Sequence, residues 1–302
     1  MSPKKSPTIK LNNGIEIPIL GFGTYKLGFG DEAKNATLHA LKVGYRHIDT
    51  AQFYRNEEDI GAAIKESDIS RKEIFVTSKL SNPNFGYESA KEAFEESLEK
   101  IDPGGYIDLF LLHWPVHQLR IESWKSLEEV LESGKVKAIG VSNFTIEHLE
   151  ELMSATKIVP AVNQVEFSPF LYQKELHEYC KKKGIALESY SPLTQGKKLE
   201  NSTLIKIGNK YGKTPAQILI RWATQHDIIV IPKSKTPSRI EENFDIFDFE
   251  INKADMAILD GLDENFRNSW DPTDPGTVKK YSSAPMRKLS KIALKIAEKL
   301  NI

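Results

Sequence analysis

The chain has 302 residues, 40% of them hydrophobic and 27% charged, with 41 Lys and Arg against 42 Asp and Glu. That apolar content with a net charge of −1 excludes a disordered chain, and 18 Gly with 15 Pro exclude collagen-like or mucin-like arrays. Cys180 is the single cysteine, which excludes an intramolecular disulfide scaffold and fits a reducing compartment.

Length alone suggests about two domains, but single α/β barrels reach this size. The start, Met1 to Pro7, is basic without the apolar run of a signal peptide, and Leu109 to Leu112 is far too short to span a bilayer. The expectation is a cytoplasmic protein. Near-zero net charge gives no general electrostatic reason to bind nucleic acid.

In chain order, residues 8–17 alternate around Asn13-Gly14, a hairpin signal. Eight short apolar runs follow as candidate strands: 19–21, 47–49, 74–79, 107–113, 136–142, 161–166, 186–189 and 228–231. Amphipathic helix patterns lie between them at about 31–42, 57–66, 87–99, 121–133, 145–155, 174–183, 203–224 and 238–243. Eight strand-then-helix repeats predict an α/β fold, a (β/α)8 TIM barrel over about 8–266, with a doubly wound sheet as the competitor. That competitor usually carries GxGxxG after its first strand, and neither Gly21-Phe22-Gly23 nor Gly28-Phe29-Gly30 completes it. With no linker or composition shift before about 267, the chain reads as one domain, residues 267–302 forming a C-terminal loop and tail.

In a parallel barrel the functional side chains gather at the C-terminal strand ends. Strand period 2 places His47 with Asp49, Phe75 with Thr77 and Lys79, and Ile107 with Leu109, Leu111 and His113. If those faces point inward, an Asp, a Lys and a His crowd one mouth, with Tyr54 five residues beyond Asp49. An ammonium beside a phenol stabilises phenolate and lowers its pKa, while Asp49 holds Lys79 charged, so the set is a poised proton donor. His113 is placed to orient or polarise a carbonyl. Each residue alone also has a structural reading: a cap for Asp49, a snorkelling Lys79, a hydrogen-bonded core His113, a packing Tyr54.

The stretch Gly44-Tyr45-Arg46-His47-Ile48-Asp49-Thr50-Ala51-Gln52-Phe53-Tyr54-Arg55-Asn56-Glu57 resembles the active-site signature of the aldo-keto reductases. Thr77-Ser78-Lys79-Leu80, Leu112-His113-Trp114-Pro115, Gly140-Val141-Ser142-Asn143-Phe144, Val162-Asn163-Gln164 and Ile231-Pro232-Lys233-Ser234 with Arg239 to Asn243 follow in family order. The resemblance implies an NADPH-dependent reductase of aldehydes, and of ketones or keto-sugars, acting by direct hydride transfer. It implies Tyr54 as proton donor, Asp49 and Lys79 tuning it, and His113 positioning the carbonyl. It further implies that Ser142, Asn143 and Gln164 hold the carboxamide and Tyr190 stacks on the nicotinamide. Gly23, Thr24 and Tyr25 lie near nicotinamide and substrate; Ser191 and Leu193 follow Tyr190 along the coenzyme. Lys233, Ser234, Arg239, Glu242 and Asn243 take the adenine end, and Tyr25, Tyr54, His113 and Trp114 the substrate. An NADPH-binding redox sensor on the same barrel is the alternative; a barrel aldolase or isomerase using Lys79 as a Schiff base leaves the coenzyme motifs unexplained.

At the adenine end, Lys233, Ser234 and Arg239 bring donors and positive charge to a helix opening near Pro237 and Ser238, which suits a 2′-phosphate and predicts NADPH over NADH. Two family tryptophans are replaced, by Ser81 after Lys79-Leu80 and by Tyr25 after Gly23-Thr24, and Ser81 is expected to widen the pocket. The loop from Val116 to Arg120 is short, as in microbial and protist members, and Trp270 is a candidate cap over the pocket. Pro115 between His113 and His117 argues against a helical metal pair, no HExxH or Cys cluster occurs, and no metal is expected. Cys180 on a helix pattern reads as a buried structural thiol. Residues 279–302 carry seven basic side chains against Glu298, a local charge of +6 that leaves the rest of the chain at −7. Met286, Leu289, Ile292, Ala293, Ile296 and Leu300 recur at helical spacing there, a basic amphipathic helix suited to docking on its own barrel, on a partner or on an anionic membrane. The remaining partner expectations are a small-molecule carbonyl substrate and a monomer.

Overall fold

Gly14 sits at φ 88°, where a side chain would be strained, and turns β1 (Thr8–Lys10) into β2 (Glu16–Pro18) with Ile9 opposite Ile17. The computed structural model describes residues 6–102, 104–274 and 276. The basic helix expected within 279–302 lies outside the described residues.

Eight parallel strands follow in sequence order: β3 (Phe22–Gly23), β4 (His47–Asp49), β5 (Phe75–Leu80), β6 (Ile107–Leu112), β7 (Val136–Ser142), β8 (Val162–Glu166), β9 (Ala186–Tyr190) and β10 (Ile229–Val230). The sheet closes on itself where Val230 N donates to Ile19 O (2.8 Å), Gly21 N to Val230 O (2.8 Å) and Gly23 N to Pro232 O (3.1 Å). These bonds make the barrel and remove the doubly wound alternative, which would leave two open edges. Closure relies on a few bonds and one Leu20–Val230 bridge, not a regular ladder, so the first strand, expected at 19–21, is found at Phe22–Gly23 and the last is shorter than its run at 228–231.

Leu11 and Ile17 of the hairpin pack with Phe75, Leu109, Leu111, Ala138 and Ile229, so the hairpin plugs the N-terminal end of the barrel. Asn12 Nδ2 donates to Pro160 O and Asn13 Nδ2 to Lys137 O, both at 3.0 Å, fixing the plug to the rim. Only the opposite end is left for chemistry.

The outer layer is α1 (Asp31–Val43), α2 (Glu57–Glu66), α3 (Tyr87–Ile101), α4 (Arg120–Glu132), α5 (Ile146–Ala155), α6 (Lys174–Lys183), α7 (Ser202–Tyr211), α8 (Pro215–Gln225), α9 (Pro237–Phe244) and α10 (Lys253–Asp260). The single helix expected over 203–224 is two. Gly212, at φ 64°, ends α7 in the left-handed region, and Thr214 starts α8 with a capping box to Gln217 and Pro215 in its first turn. Helix α10, capped by Asn252, is an addition to the expected set. No described helix is long and apolar enough to cross a membrane.

Gly21 is where closure is tightest: a Cβ there would lie 2.5 Å from Nδ1 of the buried His47 and 3.0 Å from a methyl of Ile231. Gly21→Ala is expected to destabilise the fold by about 1–3 kcal/mol through overpacking. Denaturant unfolding of the purified variant, with an unchanged m-value, would measure this.

Candidate active site

Asp49 ends β4 and pairs in register with Thr77, so Lys79 stands one pleat higher on β5 and reaches down to it. Lys79 is fully buried. Its Nζ donates to Asp49 Oδ1 (2.6 Å), Thr50 O (2.8 Å) and the Tyr54 hydroxyl (3.3 Å). An ammonium has three hydrogens, and all three have acceptors. This geometry disfavours the Schiff-base reading, because Lys79 has no exposure and all three of its hydrogens are committed to protein acceptors.

Tyr54 sits on a tight turn, residues 52–54, that the neighbouring side chains rivet in place. Gln52 Nε2 donates to Ala93 O and Ser97 Oγ while its Oε1 accepts from Ser81 N. Thr50 Oγ1 donates to Asn56 Oδ1, and Asn56 Nδ2 to Thr24 O. The Tyr54 ring lies 4.9 Å from the Tyr25 ring and 5.7 Å, edge-on, from His113.

The expected lowering of the Tyr54 pKa is not found. Burial and then the Asp49 charge push the phenol well above its ordinary range. Lys79 is already matched by Asp49 at 2.6 Å, so the pair offers little net positive potential to the phenol. Tyr54 is therefore fully protonated at neutral pH. Burial, with Lys79 second, holds His113 well below its usual range and thus neutral. Burial raises Asp49, opposed by Lys79.

Around this centre the strand ends place a ring of amides. Asn143, at φ 64°, donates from Nδ2 to His113 O and Ser142 Oγ and accepts at Oδ1 from the Tyr190 hydroxyl (2.7 Å). Ser142 Oγ donates to Gln164 O. Gln164 Nε2 donates to Asp49 Oδ2 (2.8 Å) and Glu188 Oε2 (3.0 Å). Tyr190, Ser191 and Leu193, half-buried, continue from the end of β9, with Ser191 at φ 50°. Gly23 and Thr24 are buried beneath the exposed Tyr25.

After β10, Lys233 is half-buried, Ser234 Oγ accepts from Thr236 N (3.1 Å), and Arg239 is exposed in the first turn of α9. Burial lowers the Lys233 pKa, opposed by Glu32. Lys235, which sequence reasoning did not select, pairs with Glu32. Glu242 accepts from Thr214 Oγ1 (2.6 Å), tying α9 to α8, and Asn243 is buried. These cations beside a helix N-terminus form a donor set for phosphate, and the amide ring, whose side-chain N–H and O–H donors are held within the protein, leaves Gln164 Oε1 as an acceptor for a carboxamide NH2 beside the Tyr190 ring. The residues present therefore fit a nicotinamide dinucleotide.

On the substrate side, Trp114 is buried, and its Nε1 has no acceptor among the described residues. An N–H left without a partner suits a carbonyl or hydroxyl oxygen that reaches it. The Trp270 ring, 46% exposed, lies edge-on to Trp114 at 5.7 Å. Its segment is latched by Glu166, whose carboxylate accepts from Asn268 N, Asn268 Nδ2 and Ser269 N at 2.7–2.9 Å. Ser81 is buried at 2% exposure. Glu166 and Glu188 were missed, although strand period 2 puts them on the same faces as Gln164 and Tyr190. Among the described residues, no group of three His, Cys, Asp or Glu is arranged to hold a metal ion. Cys180 is buried, its thiol pushed up to about 12 by burial.

Comparison with known proteins gives the same picture. The family model described as "Aldo/keto reductase family" matches residues 19–264. The chain is 48% identical over 267 residues to the glyoxal reductase of Bacillus subtilis, covering 88% of this chain and 96% of that protein. Among solved structures, an aldo-keto reductase enzyme from a Medee basin deep-sea metagenome library superposes with a TM-score of 0.86 at 47% identity, covering 88% of this chain and 98% of that one. A silkworm aldo-keto reductase complexed with NADPH gives 0.84 at 35% identity, covering 93% and 94%.

Proposed function

The chain belongs to the aldo/keto reductase family and is an oxidoreductase, and from that premise we propose that it reduces small aldehydes to alcohols with NADPH, Tyr54 donating the proton. The observation that carries this reading is Lys79 Nζ standing between Asp49 Oδ1 and the Tyr54 hydroxyl, beside a neutral His113.

NADPH, when bound, supplies the hydride for the carbonyl carbon. The protein's part is to place the carbonyl oxygen and protonate it. Neutral His113 offers an N–H to that oxygen without adding a competing charge, and the orphan Trp114 Nε1 offers a second donor. Tyr54, protonated at neutral pH, gives up its hydroxyl proton as negative charge develops on the oxygen. Lys79 then holds the phenolate left behind, and Asp49 keeps the ammonium in place. Tyr25, Phe53 and Trp270 present exposed aromatic surface beside Tyr54, His113 and Trp114, which suits aldehydes with an apolar body. Likeness to a glyoxal reductase adds 2-oxoaldehydes to that class.

At the far end, Lys233, Ser234 and Arg239 support a preference for NADPH over NADH, because a guanidinium fork and an ammonium both complement a 2′-phosphate.

Three measurements test the reading. NADPH oxidation should be seen with glyoxal, methylglyoxal and aromatic aldehydes, and Tyr54→Phe should lower kcat about 10²- to 10⁴-fold while NADPH still binds; tight NADPH binding with no turnover by the wild type would overturn the reductase reading. Arg239→Ala should weaken NADPH binding about 10- to 100-fold, the worth of charge-assisted hydrogen bonds, and leave NADH binding unchanged. Trp270→Ala should lower kcat/KM for aromatic aldehydes about 2- to 10-fold with little change for glyoxal, in line with the loss of an aromatic contact.

A further inference from the structure

Glu188 is a fully buried carboxyl in the barrel interior that the proton-transfer scheme does not use. It lies on β9 two residues before Tyr190, and its Oε2 accepts from Gln164 Nε2 at 3.0 Å. The same nitrogen donates its other hydrogen to Asp49 Oδ2 at 2.8 Å. One amide thus bridges two carboxyl groups. Asp49 Oδ1 in turn takes the Lys79 ammonium, which reaches Tyr54, so a continuous hydrogen-bonded line runs from Glu188 to the phenol.

We propose that Glu188 is a positioning residue for this site, a neutral carboxylic acid that clamps the Gln164 amide against Asp49 from beneath. The clamp fixes which way the amide faces: the NH2 is spent on the two carboxyls, and Oε1 is left for a bound carboxamide. It also pins the oxygen of Asp49 that Lys79 does not hold. The proposal rests on the reductase reading for its catalytic consequence, but not for the geometry of the clamp.

Charge balance explains why the acid is neutral. The ionisable groups facing Glu188 are His47 and Asp49 of β4, Lys79 of β5 and Tyr54 beyond them; Gln164 of β8 and Ile229 of β10 carry no charge. Lys79 is the one cation among them, and Asp49 has it at 2.6 Å. Two carboxyls sharing one ammonium in a dry interior cannot both ionise cheaply, so the proton stays on the one without the cation. Burial, then Asp49, pushes the Glu188 pKa up to about 8. Its Oε1, which lacks a hydrogen-bond partner, lies 3.6 Å from His47 Nε2. His47 cannot take the proton, because burial and then Lys79 lower its pKa to about 3.

As pH rises through about 8, ionised Glu188 adds negative charge beside Asp49, raises the Tyr54 pKa further and makes the phenol a poorer donor. Reduction should therefore decline there. Glu188→Gln is the neutral isostere: it keeps an acceptor for Gln164 and cannot ionise. Glu188→Leu fills the space without an acceptor.

The test is kcat against pH for wild type, Glu188→Gln and Glu188→Leu with NADPH and an aldehyde, together with NADPH affinity from quenching of protein fluorescence. Glu188→Gln should stay within about threefold of wild-type kcat at pH 6.5 and lose the decline near pH 8. Glu188→Leu should fall about 10- to 100-fold in kcat and bind NADPH more weakly, as expected when positioning is lost. Chemical unfolding gives a readout independent of turnover. A carboxyl whose pKa is raised by folding stabilises fully below its unfolded value of 4.5 and loses that contribution as pH rises through about 8. The stability of Glu188→Gln relative to wild type should therefore grow from pH 4.5 to 8 and then level off. Superimposable pH profiles of wild type and Glu188→Gln, equal damage in both variants, or a stability difference that ignores pH would each overturn the proposal. An inactive wild type with the predicted pH-dependent stability and NADPH affinities would count against the reductase reading alone.

Discussion

An ammonium with no exposure to water must find its whole solvation inside the protein, and the interior of this barrel is arranged around that demand. The Lys79 charge is met by Asp49, a backbone carbonyl and a phenol. Removing Asp49 would leave that charge uncompensated in a medium that penalises it by several kcal/mol. Asp49 then needs its second oxygen satisfied, which brings in Gln164, and Gln164 brings in Glu188. Phe75, Leu109 and Leu111 supply the apolar packing around these polar groups, Leu111 pairing in register with Lys79 and Phe75 with His47.

The consequence for chemistry is that little has to move. Tyr54 is held by a turn whose every polar side chain is committed elsewhere, to Ala93, Ser97, Ser81 and Thr24. Neutral His113 and protonated Tyr54 face the same space, one to polarise and one to donate. Burial is the largest cause that moves both groups from their ordinary ranges, ahead of the charges of Asp49 on Tyr54 and Lys79 on His113.

Much of this was legible in the sequence because strand periodicity is a strict constraint. Alternation gave Asp49, Lys79 and His113 their faces and their place at C-terminal strand ends brought them to one mouth, and the span of β7 matches its apolar run at 136–142. Eight strand-then-helix repeats predicted the barrel, but the contacts that close it were not legible. Closure depends on three backbone bonds between Ile19, Gly21 or Gly23 and the stretch from Val230 to Pro232, and backbone bonds leave no side-chain signature. The break between α7 and α8 was written in Gly212 and Thr214-Pro215, but the apolar stripe continues across it and reads as one helix. The Tyr54 titration was misjudged for a tertiary reason: sequence places a Lys near the phenol without showing that an Asp sits closer to that Lys. Glu188 was readable in principle, two residues before Tyr190 on the same face, yet a carboxyl in an apolar strand has no motif to draw attention to it.

The hairpin plug has a practical corollary. Ser6 Oγ accepts from Leu20 N, and Pro7 O accepts from Ile19 N, so the described chain enters at the sealed end, a full barrel height from Tyr54. Attachment to a surface through the amino end would leave the open mouth facing solution, with the protein standing on its plug like a cup on its base.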